Sequence, residues 1–329
     1  MITIGFSSHH AETLSAARQL MEQHQLIVLE DAPSPSFSGM LEGRVSVDEY
    51  MMEIDSGFPR FERLMCAMLR ELCDNGRQIV QVEPYLETLL RIHDLLADGM
   101  TPEAVANDPA LGGVYHAEKL ATAALVDYYA CSLKSPFDQV VGAVKAFAKA
   151  DADRLRLRAI LRSQAIASLV SNGIDTYVEA GYIHYLLYLH LRQKLGGTMR
   201  IRVAFLLAPV VRKLGGVRRN MGPGDILTLH YLLHGSVPKA MGDLLAARSL
   251  VYIKLLEKEE LLPGAFEAPH SEDMVKVNRI VDGLTMEQCR KLFDQVRLAK
   301  RERALEIVEH LSGSSRQTDN ITDKGSVSA

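Results

Sequence analysis

The chain opens with a strand, a helix and a second strand, and this unit restricts the fold more than any other feature. ITIGFSS (2–8) is a short apolar run that ends in polar residues, and LIVLED (26–31) is a second such run. Between them, AETLSAARQLMEQH (11–24) has apolar residues at helical spacing. Two strands joined through a helix pair in parallel, with a right-handed crossover. The N-terminal sequence therefore predicts an α/β fold.

Three more strands are predicted further along the chain: RQIVQVEPY (77–85), DTYVEAGYI (175–183) and MRIRVAFLLAP (199–209). Helices are predicted at 11–24, 59–76, 86–99 and 184–197, and APSPSFSGMLEGR (32–44) is predicted to be a long loop because it is rich in Pro, Ser and Gly. The prediction is a mainly parallel sheet with helices on both faces, large helical insertions and a helical C-terminal region.

Domain boundaries follow from the same patterns. Residues 1–224 are predicted to form the α/β core, with a helical insertion at about 100–171 that breaks near Ser135-Pro136 and around 150. Residues 225–311 are predicted to form a helical region packed on the core, and the small, polar residues 312–329 a disordered tail.

Composition excludes several classes of protein. The formal net charge is -4 over 329 residues, so no basic field would draw the chain to nucleic acid or to an anionic membrane. No apolar run approaches the roughly 18 residues of a membrane span. The N-terminus lacks the basic segment of a signal peptide, and the four cysteines have no zinc spacing. The sequence thus predicts a cytoplasmic protein with a small-molecule or peptide substrate, and leaves a homo-oligomer open.

Polar residues stand at or just beyond the ends of four predicted strands. The carboxyl ends of parallel strands meet at one edge of the sheet, where ligands of such folds bind. Side chains far apart in sequence are therefore expected to converge there. They are His9 and His10 after the first strand, Glu30 and Asp31 after the second, Glu83 after the third, and Glu179 and His184 on and after the fourth.

Imidazole and carboxylate together are ligands of zinc, manganese and iron, and a metal-bound water is a nucleophile near neutral pH. A lone acid after a strand is more often a helix cap or a solvated residue, which suits Asp31. Glu30, Glu83 and Glu179 instead follow apolar runs that should be buried, and buried carboxylates need partners. The pattern favours a shared site, without specifying a metal.

Two basic segments have both a functional and a structural interpretation. VRKLGGVRRNMGPGD (211–225) could hold an anion, but it has no phosphate-loop spacing and is more typical of a surface loop. ADRLRLRAILR (152–162) places Arg154, Arg158 and Arg162 near one helix face. Such a stripe is usually solvated, or else it reaches inward to neutralise the carboxylates.

The arrangement over about residues 2–210 resembles the TraB/TIKI, erythromycin-esterase and ChaN-like superfamily. GYIH (181–184) matches that family's second G-x-x-H motif, and LIVLED matches its glutamate strand. NGRQIVQVEPYLETLLR (75–91) resembles its third block, and RSQAIASLV (162–170) its arginine helix. GFSSHH departs from the first G-x-x-H, because three residues separate Gly5 from His9, so His9 and His10 are both candidates.

The resemblance implies a core of His9 or His10 with Glu30 and His184 as metal ligands or bases, supported by Glu83, Glu179 and Arg162. It implies an ester or amide hydrolase, with a metal (Zn, Mn or Fe) or a His/Glu pair activating water. A second possibility is a non-catalytic binder of haem or another small ligand. A third is a scaffold protein that uses the amphipathic segment AARSLVYIKLLEKEELL (246–262), although such a helix more often packs on its own domain.

Overall fold

A computed structural model describes residues 1–54, 56–170, 173–215, 221–262 and 267–322, with side chains up to residue 311. It confirms the α/β fold with a helical C-terminal region. The five strands pair in parallel in the order β3-β2-β4-β1-β5. They are β1 (Ile2–Ser7), β2 (Leu26–Leu29), β3 (Gln78–Gln81), β4 (Thr176–Gly181) and β5 (Ile201–Phe205).

The helices of the α/β part are α1 (Leu14–Met21), α2 (Pro35–Leu41), α3 (Val47–Met51), α4 (Pro59–Asp74), α5 (Pro84–Ala97), α6 (Pro102–Asn107), α7 (Gly112–Lys134), α8 (Phe137–Leu169), α9 (Tyr185–Leu195) and α10 (Ala208–Lys213). Those of the C-terminal region are α11 (Pro223–His234), α12 (Lys239–Leu255), α13 (Pro269–Asp282), α14 (Met286–Val296) and α15 (Arg301–Thr322). Within the described ranges, none of these helices has the length and apolar character required to cross a membrane.

The strand order places a topological switch point between β2 and β4. After β2, the chain continues to β3 at one edge of the sheet. After β4, it crosses β1 and continues to β5 at the opposite edge. Right-handed crossovers in opposite directions put their helices on opposite faces and open a crevice between the two strands. The crevice lies at the carboxyl ends of the strands, where Glu30 follows β2 and Glu179 lies within β4.

Alternation along the strands divides the core between the two faces. Ile27 and Leu29 of β2 pack with α1 and α4, together with Tyr177 of β4. Val28 of β2 points to the opposite face, where it packs with α8, α9 and Val178 of β4. Because side chains alternate, Glu30 continues the α8 face and Glu179 continues the α4 face.

Two details of the predicted secondary structure were wrong. Residues 32–44 are not one loop, because α2 begins at Pro35 with Phe37 and Met40 buried. The helical insertion does not break around 150: α8 is continuous there, with Ala148 and Ala152 buried and no Gly or Pro between residues 143 and 169. The break near Ser135-Pro136 is confirmed, since it separates α7 from α8.

The C-terminal helices form one buried cluster with the first half of α8. The segment 246–262 belongs mostly to α12, where Leu250, Val251 and Leu255 are buried in that cluster. The apolar face suspected of binding a partner is therefore covered by its own chain. Helix α15 extends through Thr322, into the segment predicted to be a disordered tail, and residues 323–329 lie outside the described part.

Candidate functional site

Glu30 is the residue around which the site is built. Its Oε2 accepts a hydrogen bond from the backbone N–H of Gly181 at 2.7 Å. Its Oε1 lies 3.2 Å from Nε2 of His184, 3.3 Å from Nη1 of Arg162 and 3.4 Å from Nη2 of Arg158. The side chain is 13% exposed, so this carboxylate is largely removed from water and is compensated by two guanidinium groups.

Arg162 connects the ends of two strands from the C-terminal part of α8. Its Nε donates to the carbonyl of Val82 at 2.9 Å, and its Nη2 donates to the carbonyl of Glu179 at 2.8 Å. The residue is 1% exposed. A fully buried guanidinium with backbone and carboxylate partners fixes β3 and β4 relative to α8, and so fixes the crevice between them.

Glu83 is fully buried at the N-cap of α5, next to the same two arginines. Its Oε2 lies 3.1 Å from Nε of Arg158 and 3.6 Å from Nε of Arg162. Both contacts are within ion-pair distance, but among the described residues neither oxygen of Glu83 has a hydrogen bond of good geometry. Burial raises the pKa of Glu83, and the two arginines oppose that rise.

The surrounding charges push the pKa values of Glu30 and His184 below their ordinary ranges. Burial alone would raise the pKa of Glu30, but His184, Arg162, Arg158 and the Gly181 amide lower it to about 2. Burial lowers the pKa of His184 to about 4, and the arginines add to this effect, whereas Glu30 opposes it. Near neutral pH the pair is therefore an ionised carboxylate and a neutral imidazole.

Glu179 lies on the other face of the sheet edge and is in the opposite electrostatic state. Burial, together with the charges of Asp31 and Glu30, raises the pKa of Glu179 to about 8. The backbone N–H of Glu30 donates a hydrogen bond to the carboxylate of Glu179, and this bond ties Glu179 to the end of β2. Thus Glu30, Glu83, His184 and Arg162 are linked by contacts at the switch point, and the carboxylate of Glu179 lies on the opposite face of the same sheet edge.

The structure places the two N-terminal histidines differently. His9 lies with Nδ1 3.8 Å from Oε1 of Glu62, and its ring stacks on Phe61 of α4. His10 stacks on His270 of α13 with ring centroids 4.1 Å apart. Burial and the His270 ring lower the pKa of His10 to about 3. Both rings therefore contact α4 or the C-terminal region, and neither makes an ion pair with Glu30.

The environment of Glu30 does not fit a metal ion. One of its oxygens accepts the Gly181 amide, and the other faces two guanidinium groups that a cation would have to displace. Within the described ranges, no group of three or more His, Cys, Asp or Glu side chains is arranged to hold a metal. The proposed ligands His9, His10, Glu30 and His184 do not form one such group. Metal binding stays a prediction of the sequence.

Several contributors to the site had only a weak signal in the sequence, or none. Of the arginine stripe, Arg158 and Arg162 reach inward, whereas Arg154 pairs with Glu118 of α7 and with Asp151, one turn earlier in α8. The amide of Gly181 had no signal beyond the G-x-x-H spacing. The anion loop predicted at 211–225 is described only in part: α10 ends at Lys213, and residues 216–220 lie outside the described ranges.

The C-terminal region is held to the site by two carboxylates at helix N-termini. Glu12 accepts hydrogen bonds from the backbone N–H groups of His270 and Ser271 at the start of α13. Glu260 accepts from the N–H groups of Arg60 and Phe61 at the start of α4. Each carboxylate caps a helix of the other part of the chain, and these contacts place His10 and His9 against their neighbours.

Comparison with known proteins adds one relative of unknown activity. No family model matches the chain, and no solved structure matches it. An uncharacterized protein of Archaeoglobus fulgidus is 32% identical over 290 residues, which cover 88% of this chain and 96% of the relative. The alignment spans both the α/β core and most of the helical C-terminal region. This extent of identity shows that the chain belongs to the same family as the Archaeoglobus fulgidus protein.

Proposed function

We propose that the protein hydrolyses an ester or amide bond of a small-molecule or peptide substrate, with His184 as general base and Glu30 as its orienting carboxylate. The observation that carries the proposal is the distance of 3.2 Å between His184 Nε2 and Glu30 Oε1 at the sheet's switch point. A base oriented by a buried carboxylate is the arrangement that activates a nucleophile in many hydrolases.

The charges fix the direction of proton transfer. Since Glu30 is ionised, it can only accept, so Nε2 of the neutral imidazole carries the hydrogen and Nδ1 has the free electron pair. Nδ1 takes a proton from water while the water oxygen bonds to the substrate carbonyl carbon. The resulting imidazolium then gives that proton to the leaving alcohol or amine. Glu30 stabilises the imidazolium between these two steps.

Arg158 is suited to the charge that develops on the substrate. Its side chain is 20% exposed, whereas that of Arg162 is 2% exposed. It therefore reaches the open side of the site, while Arg162 serves the internal structure. A guanidinium near the carbonyl oxygen stabilises the oxyanion of the tetrahedral intermediate in a site partly shielded from water.

The proposal is tested with 4-nitrophenyl esters of increasing acyl length and with the matching anilides, added to the full chain. We expect His184→Gln and Glu30→Gln to lower kcat/KM by about 10²- to 10⁴-fold, the range typical of a general base. Circular dichroism shows whether each variant stays folded. Asp127→Asn removes an exposed carboxylate on α7 and should leave turnover unchanged.

Other outcomes would support the competing possibilities. Turnover that is lost with chelator and restored by zinc, manganese or iron would favour the metal-dependent mechanism. Full activity in His184→Gln would contradict the proposed base. No turnover of any ester or anilide, together with a Soret band on haem titration, would favour a binding protein. No turnover and no ligand, with a stable oligomer, would favour a scaffold.

A further inference from the structure

Three carboxylates lie at the same sheet edge as the His184–Glu30 pair, but on its α4 face. Asp31 follows Glu30 directly, Glu179 lies in β4, and Glu62 lies in the first turn of α4. Asp31 is exposed, Glu179 is partly exposed and the side chain of Glu62 is 23% exposed, so all three are open to a ligand. Within the described ranges, their one ion pair is the contact of 3.8 Å between Glu62 and His9.

Within the described ranges, no lysine or arginine side chain forms an ion pair with this group. Asp31 is accessible at the surface, but the surrounding protein still removes part of the water around its carboxyl group, and this loss of solvation raises the pKa of all three groups. Asp31 adds to the rise at Glu62 and Glu179, whereas Arg162 opposes it at Asp31 and Glu179. On the other face, by contrast, two guanidinium groups lie within 3.4 Å of the Glu30 carboxylate. The α4 face therefore carries acidic groups that a bound cation would stabilise in their ionised form.

A buried phenol without a partner points to the same place. Tyr177 is fully buried, and its hydroxyl has no hydrogen-bond partner among the described residues. Gly5 is the register partner of Glu179, and a Cβ at position 5 would lie 2.1 Å from the Tyr177 hydroxyl oxygen. The ring thus extends along the sheet from position 177 to the level of Glu179. A buried hydroxyl is expected to be hydrogen-bonded, so this one indicates a missing partner.

We propose that Asp31, Glu62, Glu179 and the Tyr177 hydroxyl form a binding site for an ammonium group of the substrate, an inference that rests on the proposed function for its link to turnover. A primary ammonium has three N–H donors, and this group offers carboxylate and phenol oxygens as acceptors. Because Asp31 follows Glu30 directly, the cation would be bound at the same sheet edge as His184, on its other face. The substrate class is therefore an ester or amide that carries an amine.

A metal ion suits this group less well than an organic cation. As stated above, the described residues contain no cluster arranged to hold a metal, and Tyr177 supplies a neutral phenol. An organic ammonium does not need four to six ligands at about 2 Å, as zinc, magnesium or manganese do.

The test is a calorimetric titration of the full chain with benzylammonium and with its neutral counterpart benzyl alcohol, at pH 7 and low salt. We expect benzylammonium to bind at least tenfold more tightly than the alcohol. Each of the variants Asp31→Asn, Glu62→Gln and Glu179→Gln should bind benzylammonium at least tenfold more weakly, with an unchanged affinity for benzyl alcohol. Asp127→Asn is the matched control and should bind both probes as the unmodified protein does.

A second measurement distinguishes this site from the His184–Glu30 pair. Binding of benzylammonium at pH 7 should release a proton from Glu179. Titrations in buffers of different ionisation enthalpy measure this release, because the observed heat then depends on the buffer. Glu179→Gln should abolish the release. His184→Gln should keep ammonium binding even though turnover is lost. Equal affinity for the two probes, no measurable binding of benzylammonium, or unchanged affinity in all three carboxylate variants would overturn the proposal. None of these results depends on whether the protein hydrolyses esters.

Discussion

His184 and Glu30 meet at 3.2 Å although they follow different strands, which the chain reaches on opposite sides of a long helical insertion. The parallel pairing of β2 with β4 brings their carboxyl ends together, and the Gly181 amide at the end of β4 holds the carboxylate that the imidazole faces. The distance between these two residues therefore depends on the whole sheet. It also sets the electrostatic state of both groups, which makes pH a direct probe of the site.

The acidic limb of the pH–rate profile should lie near pH 4. His184 must be neutral to act as base, and burial together with Arg158, Arg162 and Arg154 lowers its pKa to about 4, against the opposing effect of Glu30. We expect kcat/KM to stay level from pH 7 down to about pH 5 and then to fall. An acidic limb between pH 6 and 7 would show that the imidazole is not in this environment during catalysis.

The same shift predicts how folding stability responds to pH. The unfolded chain protonates this imidazole below about pH 6.5, whereas the folded chain resists protonation until about pH 4. The contribution of His184 is thus fully present above pH 6.5 and is lost as pH falls towards 4. Urea unfolding at pH 7 and pH 5 measures the unfolding free energy of the unmodified protein and of His184→Gln. The unmodified protein should lose more unfolding free energy between the two pH values than the variant does, and the difference is the contribution of His184.

Replacing Arg162 should destabilise the fold more than any exposed arginine. Arg162→Met removes the donors to the Val82 and Glu179 carbonyls and leaves Glu83 with one cationic neighbour fewer. Removing one partner of a buried ion pair costs about 3–5 kcal/mol of unfolding free energy. Urea unfolding measures the loss. Arg91→Met, at an exposed position of α5, is the control and should change stability by no more than about 0.5 kcal/mol.

An outcome below about 1 kcal/mol for Arg162→Met would contradict the structural role assigned to it. In that case the contacts of Arg162 would contribute little to the stability of the fold. Activity provides a second distinction, because a loss of turnover without a loss of stability would move Arg162 from a structural to a catalytic role.

A methyl group at position 5 should not fit beneath Tyr177. The Cβ of Gly5→Ala would lie 2.1 Å from the tyrosine hydroxyl oxygen and 2.6 Å from the ring carbon that bears it. Overpacking of this kind costs about 1–3 kcal/mol. Combining Gly5→Ala with Tyr177→Leu removes the clash, so the double variant should be more stable than the sum of the single changes indicates.

The control for this prediction is a glycine with open space around it. Gly142 lies on the exposed side of α8, and no heavy atom comes within 4 Å of a Cβ placed there. Gly142→Ala should stabilise the helix by about 0.5–1 kcal/mol, because alanine loses less conformational freedom on folding than glycine does. If Gly5→Ala behaved in the same way, the close approach of Tyr177 to β1 would be wrong.

The candidate site was partly predictable because strand ends can be read locally. The apolar runs before Glu30, Glu83 and Glu179 indicated burial, and a parallel sheet implied that their ends converge. In the structure all three residues lie at the carboxyl edge of the sheet, with Glu179 on the opposite face from the other two. The histidines show the limit of the same reasoning. His9 and His10 also follow a strand, but the turn after β1 carries both rings towards α4 and α13. The contact that ties this turn to the C-terminal region joins Glu12 to His270, 258 positions away in the chain.

The sequence by itself determined the strands, their parallel pairing and the edge of the sheet at which charged residues collect, because apolar periodicity and short strand–helix connections are local properties. Only the tertiary structure decided the strand order and, with it, which face each side chain joins. That order put two arginines in ion-pair contact with the Glu30 carboxylate, whereas the carboxylates of Asp31, Glu62 and Glu179 have no such contact with an arginine within the described ranges. Similar carboxyl groups thereby acquired pKa values as different as about 2 and about 8, since solvation and neighbouring charge depend on three-dimensional surroundings.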